Sequence, residues 1–277
     1  MAKDGVERLR QLKMSMPMTP DQIAEAEAII KTLGKAALQG LGLTASPQTS
    51  LPPDLDKMQA RQRLKVLQSF ISSYEYNFTP EQYFNVRKDR PLGRIMDTAK
   101  KITRDALPIK CVEAVFLGLY LTCDMEDLDR IPVGFKSEVD GKVYRHIVLV
   151  IRDRKSGLFG ALGLSRRAEL MYKDLTFSSM SAILTDYKEA YERWWHTVLK
   201  VRVGLPVEHD YYSTRPVCWR HCCVKVPNKK WEKLCAAFDD HAAKAHRLHA
   251  RWQVTGGKAK IKGEDEEGNT SGGVPAG

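Results

Sequence analysis

The stretch Ala106-Leu107-Pro108-Ile109-Lys110-Cys111-Val112-Glu113-Ala114-Val115-Phe116-Leu117-Gly118-Leu119-Tyr120-Leu121 decides the fold. After Pro108 it is nearly all apolar, with no polar stripe, so it reads as a helix buried on every side. From about residue 131 the apolar period changes to two. Val143-Tyr144-Arg145-His146-Ile147-Val148-Leu149-Val150-Ile151 is a strand, residues 153–157 a polar turn, and residues 158–164 a second strand. A buried helix packed on an antiparallel sheet makes the expected class α+β.

Upstream, Thr19-Pro20-Asp21-Gln22 has an N-cap threonine and a proline at N1. The amphipathic helix that follows carries Ile23, Ala26, Ile29 or Ile30, Leu33, Ala37 and Leu41 and ends at Gly40 and Gly42. Residues 1–18 are charged, Met-rich and expected to be frayed; residues 44–54 form a Pro/Ser/Thr linker. Further helices are expected at 56–73 and 91–106. Downstream, helix is expected at 178–200, strands at 198–203 and around 216–226, and one basic helix at 229–252. The remainder, 255–277, is low-complexity and expected to be disordered. The division is thus an N-terminal extension (1–55), a helical subdomain (56–105), a catalytic core with its terminal helix (106–252) and a tail (253–277).

The chain has 277 residues and 43% hydrophobic content, enough for a sizeable core. A net charge of +10 suggests an anionic partner without choosing among nucleic acid, membrane surface and acidic polypeptide. The start, MAKDGVERLRQLK, has no apolar h-region, and no run of about 18 apolar residues occurs, so neither a secretory signal nor a membrane span is expected. Six cysteines in such a chain read as reduced thiols in a cytosolic setting.

Cys111 sits in the first turn of the buried helix, where unpaired N–H groups and the helix dipole favour a thiolate. Lys110 adds a positive neighbour, and the same N–H groups could stabilise an oxyanion. His146 lies mid-strand in an apolar run that would fix its ring, as a base requires. A core cysteine beside a structural histidine is the competing reading. Papain-like sites add an Asn or Asp to orient the imidazole, and Leu158-Phe159-Gly160-Ala161-Leu162-Gly163-Leu164-Ser165 offers none.

Several segments in order resemble the vasohibins. They are Tyr76-Asn77 with Thr79, Gln82 and Phe84; Arg90-Pro91-Leu92 and Met96-Asp97; Ala106 to Cys111 with Glu113-Ala114-Val115; and Arg145-His146-Ile147-Val148-Leu149. Gly160-Ala161-Leu162-Gly163, Ser165-Arg166-Arg167, Leu170-Met171-Tyr172-Lys173, Trp195-His196 and His209-Asp210 continue the pattern, so that it covers roughly 60–225. The resemblance implies a transglutaminase-like or papain-like cysteine protease core, preceded by a helical region, that removes the C-terminal tyrosine of α-tubulin. It implies a triad of Cys111, His146 and Ser165, the serine acting through its backbone carbonyl. The turn between His146 and Ser165 is longer than in the animal members, which leaves Ser165 the least secure member.

Arg166 is the candidate clamp for a terminal carboxylate, with Lys110 as a second cation. Tyr76 resembles a family tyrosine beside the nucleophile. Between residues 85 and 110 there are eight basic side chains against three acidic ones. Lys88, Arg90 and Lys136 match a basic groove that meets glutamates, with Arg167 beside them. Implied partners are the α-tubulin tail, microtubules and a small vasohibin-binding protein-like helical chaperone, in a cytoplasmic, microtubule-associated setting without membrane or nucleic acid. No cofactor or metal is implied. Cys218-Trp219-Arg220-His221-Cys222-Cys223 is too crowded, and too alternating in direction, to preform a zinc site. A cysteine peptidase or acyltransferase acting on another substrate, and a non-catalytic basic microtubule-binding protein, remain the alternatives.

Overall fold

The computed structural model describes residues 2–14, 19–32 and 50–255. The expected helix end at Gly40 and Gly42, most of the linker and the tail lie outside them. The chain divides into two compact units, Met1–Ser46 and Pro47–Gly277. In the first, α1 (Ala2–Met14) occupies the end expected to be frayed, and α2 spans Pro20–Thr32. Thr19 and Gln22 cap α2 reciprocally: the Gln22 amide donates to the threonine hydroxyl at 3.3 Å, and the Thr19 amide to the glutamine carbonyl at 2.9 Å.

The second unit is a six-stranded antiparallel sheet covered on both faces. Its elements are α3 (Ala60–Ser72), α4 (Leu92–Asp105), α5 (Cys111–Leu121), β1 (Leu128–Val139), β2 (Lys142–Asp153), β3 (Phe159–Leu162), β4 (Lys173–Phe177), α6 (Met180–Arg193), β5 (Thr197–Val203), β6 (Cys222–Lys225), α7 (Trp231–Ala243) and α8 (Ala245–Val254). The strand order is β4-β3-β2-β1-β5-β6. β1 and β2 pair along twelve residues each, joined by Asp140 and Gly141, both at positive φ (50° and 73°). That conformation matches a tight hairpin to the strand twist.

Alternation along β2 sorts its side chains onto two cores. Ile147, Leu149 and Ile151 face one with α3, α4 and α5; Val148 and Val150 face another with β1, β5, α6 and Phe238 of α7. α5 is buried from Glu113 through Leu119, as its apolar sequence requires. Gly118 lets it approach the sheet: a Cβ there would stand 3.1 Å from Leu149 Cδ2. The far end of α5 is tied to β1 by the fully buried Arg130, which donates to Leu119 O at 2.9 Å and to the Val207 and Glu208 carbonyls. Charge-assisted bonds to helix-end carbonyls complement the dipole there.

Four local expectations differ from the structure. The helix expected to reach 200 ends at Arg193; Trp195 takes φ 57° and β5 begins at Thr197. The single terminal helix is two, broken at Lys244. β4 had no expected counterpart because its alternation is disguised: Lys173 points inward, buried in an ion pair with Asp186. The strand expected at 216–226 is confined to Cys222–Lys225.

Candidate active site

Cys111 is the first residue of α5, and Lys110 before it is extended and supplies no capping side chain. The amides of the first turn are therefore left for other partners. The approach to the helix is pinned: Tyr76 bridges Ile109 in parallel, the Ile109 amide donates to Glu75 O at 2.9 Å, and the Asn77 amide donates to Ile109 O at 2.8 Å. These bonds set Tyr76 beside the cysteine.

A gap in the sheet receives the sulfur. On β2 the odd-numbered residues bond toward β3, as the Asp153 amide does to Leu158 O. The next pair in that register would be Ile147 with Leu164, but β3 ends at Leu162. Gln68 draws the chain away, accepting from the Gly163 amide at 3.1 Å and donating to its carbonyl at 2.9 Å. The Ile147 N–H, one residue after His146, instead lies near the Cys111 thiol and draws its pKa down.

Burial pushes the Cys111 thiol up, while the Lys88 charge and the Ile147 amide pull it down. His146 lies opposite Phe135 on β1, and its Nε2 donates to Leu170 O at 2.7 Å. That bond selects the tautomer with the proton on Nε2 and leaves Nδ1 as the acceptor. Burial brings the imidazole down to about 4, against the Leu170 bond. At neutral pH both groups are therefore neutral at rest.

The third position is a correction to the sequence reading. The backbone carbonyl that orients His146 is that of Leu170, not Ser165. The Ser165 hydroxyl accepts instead from the Arg167 amide at 3.4 Å. No sequence signal could have found Leu170, because any residue supplies a carbonyl.

The cations divide into two kinds. Arg90 is spent within its own loop, donating to the carbonyls of Asn85, Arg87 and Arg94 and to the Thr98 hydroxyl. These bonds hold the start of α4. Arg167 stacks 3.7 Å from the Trp194 ring centroid, and Lys110 donates to Glu81 O at 3.2 Å. Lys88 stands 5.6 Å from the Trp219 ring; burial lowers its pKa, the Cys111 charge opposes this, and Arg220 and Arg202 reinforce it. The Tyr76 phenol is pushed up by burial and by the Cys111 charge, and drawn down by Arg166. Arg166 also acts on His196, so its charge reaches the nucleophile end of the site.

Lys136 belongs to a row. The register sets Arg145 of β2, Lys136 of β1, Lys200 of β5 and Lys225 of β6 abreast across four strands. Arg202 lies two residues on. These positions alternate with Phe135, Val201, Val203 and Val224, so the row faces the α5 side of the sheet. Arg145, Lys200, Arg202, Arg220 and Lys225 were missed in the sequence; the signal available was a cation at every second residue, as in Lys200-Val201-Arg202. Tyr191 was missed as well, though its buried phenol feels the Cys111 charge.

Cys222 and Cys223 point to opposite faces, one packed on the α6 core and the other paired with Arg202. Among the described residues no group of three or more His, Cys, Asp or Glu could hold a metal ion, and no helix is long and apolar enough to cross a membrane.

The vasohibin family model matches residues 16–246. Mouse tubulinyl-Tyr carboxypeptidase 1 is 41% identical over 211 residues, covering 75% of this chain and 56% of that protein. The chain thus spans about half the length of the curated relative it matches.

Proposed function

The chain belongs to the vasohibin family, and on that premise we propose that it is a cysteine carboxypeptidase removing the C-terminal tyrosine of α-tubulin. The mouse relative's name, tubulinyl-Tyr carboxypeptidase, supports the reaction and substrate. The observation that carries the reading is a helix-start cysteine near the Ile147 amide, the residue that directly follows a histidine bonded to Leu170 O.

The Cys111 proton passes to His146 Nδ1 as the sulfur attacks the carbonyl carbon before the terminal tyrosine. The oxyanion is met by a backbone amide at the head of α5, with the Tyr76 hydroxyl nearby. His146 returns the proton to the departing amine, leaving a thioester that water hydrolyses. The released residue carries the terminal carboxylate, which Arg166 and Lys110 would hold. The row of Arg145, Lys136, Lys200 and Lys225, with Lys88, Arg202 and Arg220, suits the glutamates upstream. Like charges directly across strands cost stability, and an anionic ligand offsets that cost.

The test is mass spectrometry of an α-tubulin tail peptide incubated with the chain or with its Cys111→Ala variant. Loss of one tyrosine with the first and none with the second is expected. Cleavage further inside, or by the variant, would sink the proposal. A microtubule-associated cytoplasmic site of action and a small helical partner belong to the same reading. Co-sedimentation with microtubules and co-purification with an added helical partner test them.

A further inference from the structure

Phe78 is a large apolar side chain left 75% exposed, yet the turn that carries it is tightly fixed. Asn77 beside it is buried, and its side-chain oxygen accepts from the Thr79 amide at 2.9 Å and from the Thr79 hydroxyl at 2.7 Å. Its side-chain nitrogen donates to Glu81 O at 2.9 Å, and its backbone amide to Ile109 O at 2.8 Å. Gln82 adds a bond to the buried Glu113 of α5. The backbone around Phe78 is thus strapped to the helix that begins with Cys111.

The Phe78 ring meets Tyr76 edge-to-face, with centroids 5.1 Å apart and planes at 64°. Tyr76 in turn lies within the fields of both Cys111 and Arg166. A residue with its preceding carbonyl at the sulfur and its carboxylate at Arg166 would lie beside Tyr76, and the ring adjoining Tyr76 is the exposed Phe78. Leaving a Phe in water forgoes the gain of burying it, and a ring held rigidly in place loses little entropy when something covers it.

We propose that Phe78 determines specificity for the released residue by packing against its aromatic side chain. This rests on the carboxypeptidase reading above. Tyr76 and Phe78 together form an aromatic wall whose contact grows with the size of the terminal side chain. Tyrosine and phenylalanine gain from it; alanine gains almost nothing.

The experiment uses the 277-residue chain, unaltered and as Phe78→Ala and Phe78→Leu, on acidic tail peptides differing only in a terminal Tyr, Phe or Ala. Phe78→Ala should lower kcat/KM roughly threefold to tenfold on the Tyr and Phe peptides, mainly through KM, and less than about twofold on the Ala peptide. Phe78→Leu should fall between, and the melting temperature should hold, since the ring is exposed. Equal losses on all three peptides, or an unchanged aromatic preference, would overturn the assignment while leaving the peptidase reading intact. If the unaltered chain releases no terminal residue from any peptide, that reading falls and the Phe78 assignment falls with it.

Discussion

The two halves of the site are built by opposite means. The sulfur half is fixed by backbone: the Ile147 amide at Cys111, the Leu170 carbonyl at His146, and the Ile109 bridge that aligns the helix start. The rim half is fixed by side-chain register, which ranks cations across β2, β1, β5 and β6 where like charges repel. Backbone geometry suits a step that tolerates little displacement. A field summed over many side chains suits an approach that need only be biased. On the proposed function, chemistry belongs to the first half and recognition to the second, so substitutions should be severe in one and graded in the other.

The largest effects therefore fall on the sulfur half. Cys111→Ala and His146→Gln should each lower peptide cleavage by at least about a thousandfold, with the melting temperature nearly unchanged, since nucleophile and base act as a unit. Ser165→Ala should cost less than about tenfold, because the imidazole leans on Leu170 O and not on the serine. A Ser165→Ala loss as deep as that of His146→Gln would break the division, by showing that a side chain orients the ring.

The resting protonation state sharpens the same half. Burial raises the Cys111 thiol above its ordinary 9.0 and lowers His146 to about 4. A group whose acid form is favoured ionises later, so the rate of alkylation by iodoacetamide should climb only above pH 9. A standing thiolate–imidazolium pair would instead give a rate plateau reaching down into mildly acid solution. Lys88→Gln should move the climb further up, because it removes the cation that favours the thiolate.

How much of this could be read from sequence follows the same division. α5 and the β2–β3 hairpin were plain because their apolar periods, unbroken in one and twofold in the other, follow directly from burial. Cys111 and His146 stood out against those patterns. Leu170 did not, since a carbonyl has no residue type. On the rim, charge composition was visible but commitment was not: Arg90 turned out to serve the Asn85–Thr98 loop, while Lys200 and Lys225 become neighbours of Lys136 only through β5 and β6. Strand pairing between residues far apart in sequence supplies that information, and local pattern holds none of it.

Arg166 stands between the halves and should give an intermediate effect. Arg166→Ala should lower kcat/KM by about 10- to 100-fold on a peptide with a free terminal carboxylate. On a C-terminally amidated peptide, which is cleaved poorly by both, the two proteins should differ less than about threefold. Arg90→Ala makes the contrast: it should lower the melting temperature and leave KM within about twofold, because four acceptors lose their donor and the site loses nothing. An Arg90→Ala variant of normal stability and raised KM would return that residue to the groove.

The smallest effect is the most diagnostic of the rim, because its two readouts should move in opposite directions. Lys200 sits in the middle of the row, with Lys136 on one side and Lys225 on the other. Lys200→Gln keeps most of the stem, and with it the packing, while removing one charge. With two like-charge neighbours relieved, the folded state should gain about 0.5 kcal/mol at low salt, read as a slightly higher melting temperature. Removing that charge also weakens the field that draws an acidic tail, so KM should rise about twofold to threefold at low ionic strength. Above about 0.5 M salt, where the Debye length is shorter than the spacing of the row, both differences should vanish. A packing role for Lys200 would lower stability and leave no salt dependence, and a catalytic role would survive high salt. Only a charge retained for an anionic partner makes the protein more stable and a poorer binder by the same substitution.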